Sequence, residues 1–143
     1  VTVEEAIRAY LVEPGSGVES LIGQRMYAQD APQDADLPLV LYVTSDEEQA
    51  IDLDGTPANF FEQVFRFDCY GVGPRSYASA KAIARAVKAR LLPLVHQAIG
   101  DDTVSVQAVE QEGGEDGLEP PIHAGEQGLD YCGVQLRVYW NTI

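Results

Sequence analysis

Two runs of carboxylates, Asp46-Glu47-Glu48 and the segment holding Glu112, Glu115 and Asp116, are the densest ionisable groups in this sequence. Paired acids run hydrolysis when burial drives their pKa values apart. Both runs fall in the most polar stretches, where solvated loop carboxylates are the default. The fragment D-L-D-G-T at residues 52–56 begins like a calcium loop but has no terminal Glu at the required distance. His96 and His123 have no Cys, His or carboxylate at a spacing that makes a metal site or a catalytic dyad. Ser16, Ser20, Ser45, Ser76, Ser79 and Ser105 lie in no nucleophile-elbow context. Gly71-Val72-Gly73 leads into a helical pattern as a phosphate loop does. It lacks the third glycine and the Lys-Ser/Thr pair, and Pro74 removes an amide that would donate. Cys69 and Cys132 lie in apolar, strand-like runs with no zinc spacing, which predicts buried free thiols. The chain is therefore expected not to be an enzyme and to use no metal or cofactor.

Charge says more than any motif. The net charge is −14, from 9 Lys and Arg against 23 Asp and Glu. Such a surface does not grip nucleic-acid phosphates through dense basic contacts, although it lets nucleic acid pass without holding it. The charge is also uneven. Five of the nine basic residues (Arg75, Lys81, Arg85, Lys88 and Arg90) share one short segment, whereas residues 101–130 hold nine acids and no Lys or Arg. Copies carrying a basic patch and an acidic loop meet head to tail, the heterologous geometry that closes rings. The expected contact residues are Lys81, Arg85 and Lys88 on one side. On the other are Asp46, Glu47, Glu48, Glu112, Glu115 and Asp116. A solvated helix face and a solvated loop account for the same asymmetry without any partner.

Local patterns supply the framework for these charges. At 143 residues the chain is expected to form a single domain spanning residues 1–143. No apolar run approaches the roughly 18 residues of a membrane span. The first residues show no basic n-region backed by an apolar run, so no secretory signal is expected. Thr2 followed by Glu5 has capping-box spacing, and Val3, Ile7, Tyr10 and Leu11 recur on one face, predicting a helix over 2–12. Residues 18–22 have room for one more helical turn, stopped by Gly23. Strands are expected at 25–28 and 39–44, the second with its start fixed by Pro38. Residues 45–58 suit an exposed connection or an arm. Residues 60–70 alternate clearly, with Phe61, Phe65, Phe67 and Cys69 on one side and Gln63 as the exception. A second helix is expected from Pro74 to about Leu92, with Tyr77, Ala80, Ala84, Val87 and Leu91 as its apolar stripe. Strands at 103–110 and 129–140 flank a polar segment too long for a routine connector. The sum is an α+β fold: a mostly antiparallel sheet of four to five strands, two helices packed on one face, and long polar loops.

The stretch L-I-G-Q-R-M-Y-A-Q-D-A-P-Q-D-A-D-L-P-L-V-L-Y (21–42) resembles the signature region of tail-completion proteins, the tail terminators of long-tailed bacteriophages and prophages. The matching positions are Leu21, Gly23, Arg25, Tyr27, Ala31-Pro32-Gln33 and Leu37-Pro38. A second block, V-F-R-F-D-C-Y-G-V-G-P-R-S-Y-A-S-A-K-A-I-A-R-A-V-K-A-R-L (64–91), is similar to that family's strand ending near Asp-x-Tyr, followed by an alanine-rich helix. The resemblance covers roughly residues 2–92, and the C-terminal third departs from it. It implies a virion protein of the tail or neck, assembled in the bacterial cytoplasm. Such a protein forms a ring, typically a hexamer, that caps the head-proximal end of the tail tube and stops its polymerisation. The implied partners are further copies of the chain, the tail tube protein and a head-completion or connector protein. DNA passes through without specific binding, and no membrane is involved. A head-closure or head–tail joining protein follows the same ring logic. A small acidic protein-binding module is the reading from another class.

Overall fold

The Thr2 hydroxyl accepts the Glu5 amide at 3.2 Å, and the Glu5 carboxylate accepts the Thr2 amide at 2.9 Å. This reciprocal cap starts the first helix where its spacing predicts. A computed structural model of the chain describes residues 2–32, 35–73, 75–114, 116–119 and 129–143, with 116–119 and 129 described by backbone alone. The elements run α1 (Val3–Leu11), α2 (Gly17–Ile22), β1 (Met26–Ala28), β2 (Leu39–Thr44), β3 (Glu48–Ile51) and β4 (Pro57–Tyr70). They continue with α3 (Ser76–Leu91), β5 (Gln97–Ile99), β6 (Val104–Gly113), β7 (Asp116–Glu119) and β8 (Leu129–Thr142).

The sheet has the order β1-β2-β4-β8-β6-β5, with β3 added to β4 and β7 added to β8. Its pairings are antiparallel except β1 with β2. At its centre β4 and β8 pair from Phe61 opposite Trp140 to Tyr70 opposite Tyr131. Alternation along both strands sends Phe65, Phe67, Cys69, Cys132, Val134, Leu136, Val138 and Trp140 to one buried face. The three helices cover that face: Ile7 and Leu11, Val18 and Ile22, and Ala80, Ile83, Ala84, Val87 and Leu91 join the same cluster. Each large apolar side chain so buried contributes about 1.5–3 kcal/mol relative to exposure. Gln63, the exception in the inward pattern, is buried too. Its Nε2 donates to the Glu4 carboxylate at 2.7 Å and to the Ser45 carbonyl at 3.1 Å, so its place is polar by design of the α1 N-terminus above it.

The α+β class agrees with the sequence, while the sheet is larger than four to five strands and a third helix is present. Ser16 caps α2 by accepting the Glu19 amide, and Gly23 ends it at φ 62°. The region expected as an exposed connection or arm holds β3, and β4 begins three residues before residue 60. β3 escapes pattern reading because all four of its residues are exposed. A ladder to β4 holds it, and no burial imposes alternation. β5 is three residues long with only Ile99 buried. β6 runs on to Gly113, and β7 lies within the segment expected to be a polar loop. α3 begins at Ser76; Pro74, expected to open it, lies outside the described residues.

Candidate assembly surfaces

α3 buries one face against β4 and β8 and leaves another outward, as its three-and-four spacing requires. Arg85 is exposed there, and Lys81 and Lys88 are half-buried. The Lys81 ammonium lies 5.7 Å from the centre of the Tyr77 ring. Tyr77, expected in the apolar stripe, is 45% exposed, and Ile83 fills the buried stripe. Arg90 is used internally: it stacks 4.0 Å over the Tyr10 ring and pairs with Glu13. Among the described residues Arg85 and Lys88 make no ion pair.

Arg75, at the α3 N-cap, is exposed and makes no side-chain cap bond, whereas Arg8, Arg25, Arg66 and Arg137 are held within the chain. Arg8 donates to the carbonyls of Met26 and Gln24, both at 3.0 Å. Arg25 donates from Nε to the Pro38 carbonyl at 2.8 Å, and the Val40 amide returns a bond to the Arg25 carbonyl. Arg66 pairs with Asp68 at 3.1 Å. Arg137, on the sheet face away from the helices, reaches Glu62 at 3.0 Å and Glu112 at 2.6 Å. The Arg137 hydrogen bond holds the Glu112 carboxyl below the ordinary glutamate range, and its two carboxylates push Arg137 up. Beside them Tyr139 donates to Glu110 at 3.2 Å, and desolvation followed by the Glu110 charge raises its phenol.

Of the acids expected as contacts, Glu48 and Glu112 border the same cluster, Glu48 opposite Glu62 and Glu112 on Arg137. Asp46 and Glu47 occupy the β2–β3 turn, Glu48 opens β3 opposite Glu62, and all three are exposed. Glu112 belongs to the Arg137 cluster. Asp116 pairs by backbone with Cys132 across β7 and β8; its side chain and Glu115 lie outside the described residues.

β3 and the first half of β4 make a hairpin arm whose outer edge is unpaired among the described residues. Its turn is closed by the Asp52 amide to the Thr56 carbonyl and the Gly55 amide to the Asp52 carbonyl, both at 2.8 Å. The Thr56 amide donates to the Asp54 carboxylate at 3.0 Å and holds that carboxyl below its usual range. At the tip Leu53 is wholly exposed, and Ile51 is 70% exposed. Sequence reading passed over these two. The available signal was a pair of apolar residues, alternating with aspartates, in an otherwise acidic segment.

The remaining candidates resolve into structure. His96 adopts φ 49° in a turn and bonds Gln107; His123 lies outside the described residues. Cys69 and Cys132 stand opposite each other across β4 and β8, both buried and neither in a disulfide. Among the described residues no group of three or more His, Cys, Asp or Glu is placed to hold a metal ion, and no helix is long and apolar enough to cross a membrane. An open groove of about 530 Å³ between α1 and β5 is lined by Ala6, Ala9, Tyr10 and Ile99 with Glu5, Glu13 and Asp101 at its margin.

No protein-family model and no curated protein matches the sequence. Among solved structures, the chain is similar to one from the virion of a native gene transfer agent particle. The TM-score is 0.62 at 17% identity, over 98% of this chain and 98% of that one. At that identity the likeness is one of fold, and it runs end to end.

Proposed function

We propose that this chain is a ring-forming structural protein of a tailed virion, and specifically a tail terminator. It caps the head-proximal end of the tail tube, stops its polymerisation and offers the surface to which the head attaches. The observation that carries the virion reading is the end-to-end fold shared with a chain of a gene transfer agent particle. The terminator reading adds the resemblance of residues 21–42 and 64–91. The bond from Arg25 to the Pro38 carbonyl, with Gly23 ending α2, gives the first of these blocks a structural role in seating β1 beside β2.

Assembly into a ring, typically of six copies, uses heterologous contacts between the basic face of α3 (Lys81, Arg85, Lys88) and the acids Asp46, Glu47 and Glu48, with Glu115 and Asp116 as further acidic contacts. Glu112 adds negative potential through the Arg137 cluster. The partners are other copies, the tail tube protein and a connector protein. DNA crosses the ring unheld, since a net charge of −14 repels its phosphates. The virion neck, built in the host cytoplasm, is the site of action, and the protein works by assembly and not by catalysis.

Light scattering over a concentration series, with and without purified tail tubes, tests this together with imaging of the mixture. Rings at one end of the tubes are the expected result. Rings that ignore tubes and bind connector parts make it a joining protein. A monomer indifferent to both makes it an acidic binding module.

A further inference from the structure

The arm and the basic helix face lie near opposite ends of the same strand. The arm turn enters β4 at Pro57, whereas α3 starts beyond Tyr70, tied to β8 by the Ser76 hydroxyl on Asp130 at 2.6 Å. Fourteen residues of extended chain span about 43 Å at roughly 3.3 Å per residue, so the arm tip lies far from the α3 N-terminal turns of its own chain. The tip is apolar and acidic together: exposed Ile51 and Leu53 alternate with Asp52 and Asp54. A wholly exposed leucine on a two-stranded projection gains nothing within its own chain, and its burial against a partner is worth about 1.5–3 kcal/mol.

A partner for that tip must offer apolar area beside positive charge. On this chain the choice is narrow. Arg8, Arg25, Arg66, Arg90 and Arg137 are each held by carbonyls or carboxylates of the chain. Arg75, Arg85 and Lys88 make no ion pair among the described residues; Arg75 sits at the N-cap, whereas Arg85 and Lys88 share the outward face of α3 with exposed Tyr77.

We propose that the β3–β4 arm of one copy seats on the α3 face of the next, with Ile51 and Leu53 against Tyr77 and with Asp52 and Asp54 facing Arg85 and Lys88. The inference rests on the ring reading above and names the element that reaches across. The contact is heterologous, since each copy gives an arm and receives one, so it propagates until the ring closes.

Two variants test it. Ile51→Ser with Leu53→Ser removes the tip, and Arg85→Glu with Lys88→Glu reverses the face; none of the four side chains is in the buried core. In sedimentation velocity each variant alone should associate at least roughly tenfold more weakly than the native chain. Their equimolar mixture retains one good arm and one good face and should stop at twice the 15.5 kDa chain mass. Leu53→Cys with Tyr77→Cys should also form a disulfide between chains on mild air oxidation, because the native thiols are buried. Native-like association of either variant overturns the arm contact, as does a mixture that gives no pair or a cysteine variant that gives no cross-link. A native chain that stays monomeric overturns the ring reading instead. Association that appears only when tail tubes are added assigns the arm to the tube and also overturns the contact between copies.

Discussion

Arg25 holds Pro38 through a 2.8 Å bond from its Nε to the proline carbonyl, bridging the start of β1 and the start of β2. The two residues stand 13 apart in the chain. Arg25→Met keeps much of the stem and removes the donor, leaving a half-buried carbonyl without it. Urea unfolding should show a loss of about 1–3 kcal/mol, the range for a bond from a charged donor. An unchanged midpoint would remove this bond from the explanation of how these two strands are seated.

Arg137 governs Glu112, and the sign of the pH effect follows. The folded-state carboxyl is held below its unfolded value, chiefly by the Arg137 hydrogen bond. Its contribution to stability is present above the unfolded value, near 4.3 for an ordinary glutamate, and is lost as pH falls through the lower folded value. Asp54, lowered by the Thr56 amide, acts with the same sign. In carboxyl NMR titrations, Arg137→Gln should move the Glu112 midpoint upward and leave Asp54 in place. Equal movement of both would mean a general change in fold and not the loss of one bond.

Gly71 is needed for close approach. A Cβ there would stand 1.8 Å from the Ser76 carbonyl oxygen and 2.7 Å from the Ala80 amide nitrogen, both backbone atoms. Gly71→Ala should therefore cost about 3 kcal/mol or more. Gly55→Ala, at φ +85° with nothing within 4 Å, should cost about 1 kcal/mol from backbone strain alone. Thermal melts of the two variants give the comparison, and a reversed order would contradict the packing described at the β4–α3 junction.

The cysteines should be silent in the folded chain. Burial raises the Cys69 thiol far above its ordinary value, with the facing Cys132 adding to the effect. A thiol reagent should label both cysteines at least about a hundredfold more slowly in buffer than in denaturant. Fast labelling of either in buffer would mean that the β4–β8 centre opens readily.

Much of this fold was legible because burial imposes period. The inward sides of β4 and β8 and the buried face of α3 follow from their alternation and three-and-four spacing, and Thr2 with Glu5 marked the first cap. β3 and β5 were not legible: one is exposed on every residue, the other is three residues long, and neither leaves an apolar period. At the candidate surfaces the basic face of α3 was readable from charge spacing. Glu112 was not separable from Glu47 by sequence, since its Arg137 partner lies 25 positions away and meets it only through the β6–β8 pairing. Leu53 was hidden for the converse reason, as an apolar residue in an acidic segment reads as noise until a hairpin lifts it into solvent.

The central claim is that copies of this chain close into a ring that ends a tail tube. The direct measurement is the length of tubes grown from the tail tube protein while this chain is titrated in, with imaging of both tube ends. A ring at one end, with elongation from that end stopped, is the predicted result. Tubes that grow to the same lengths with bare ends, at concentrations where the chain has assembled, would contradict it.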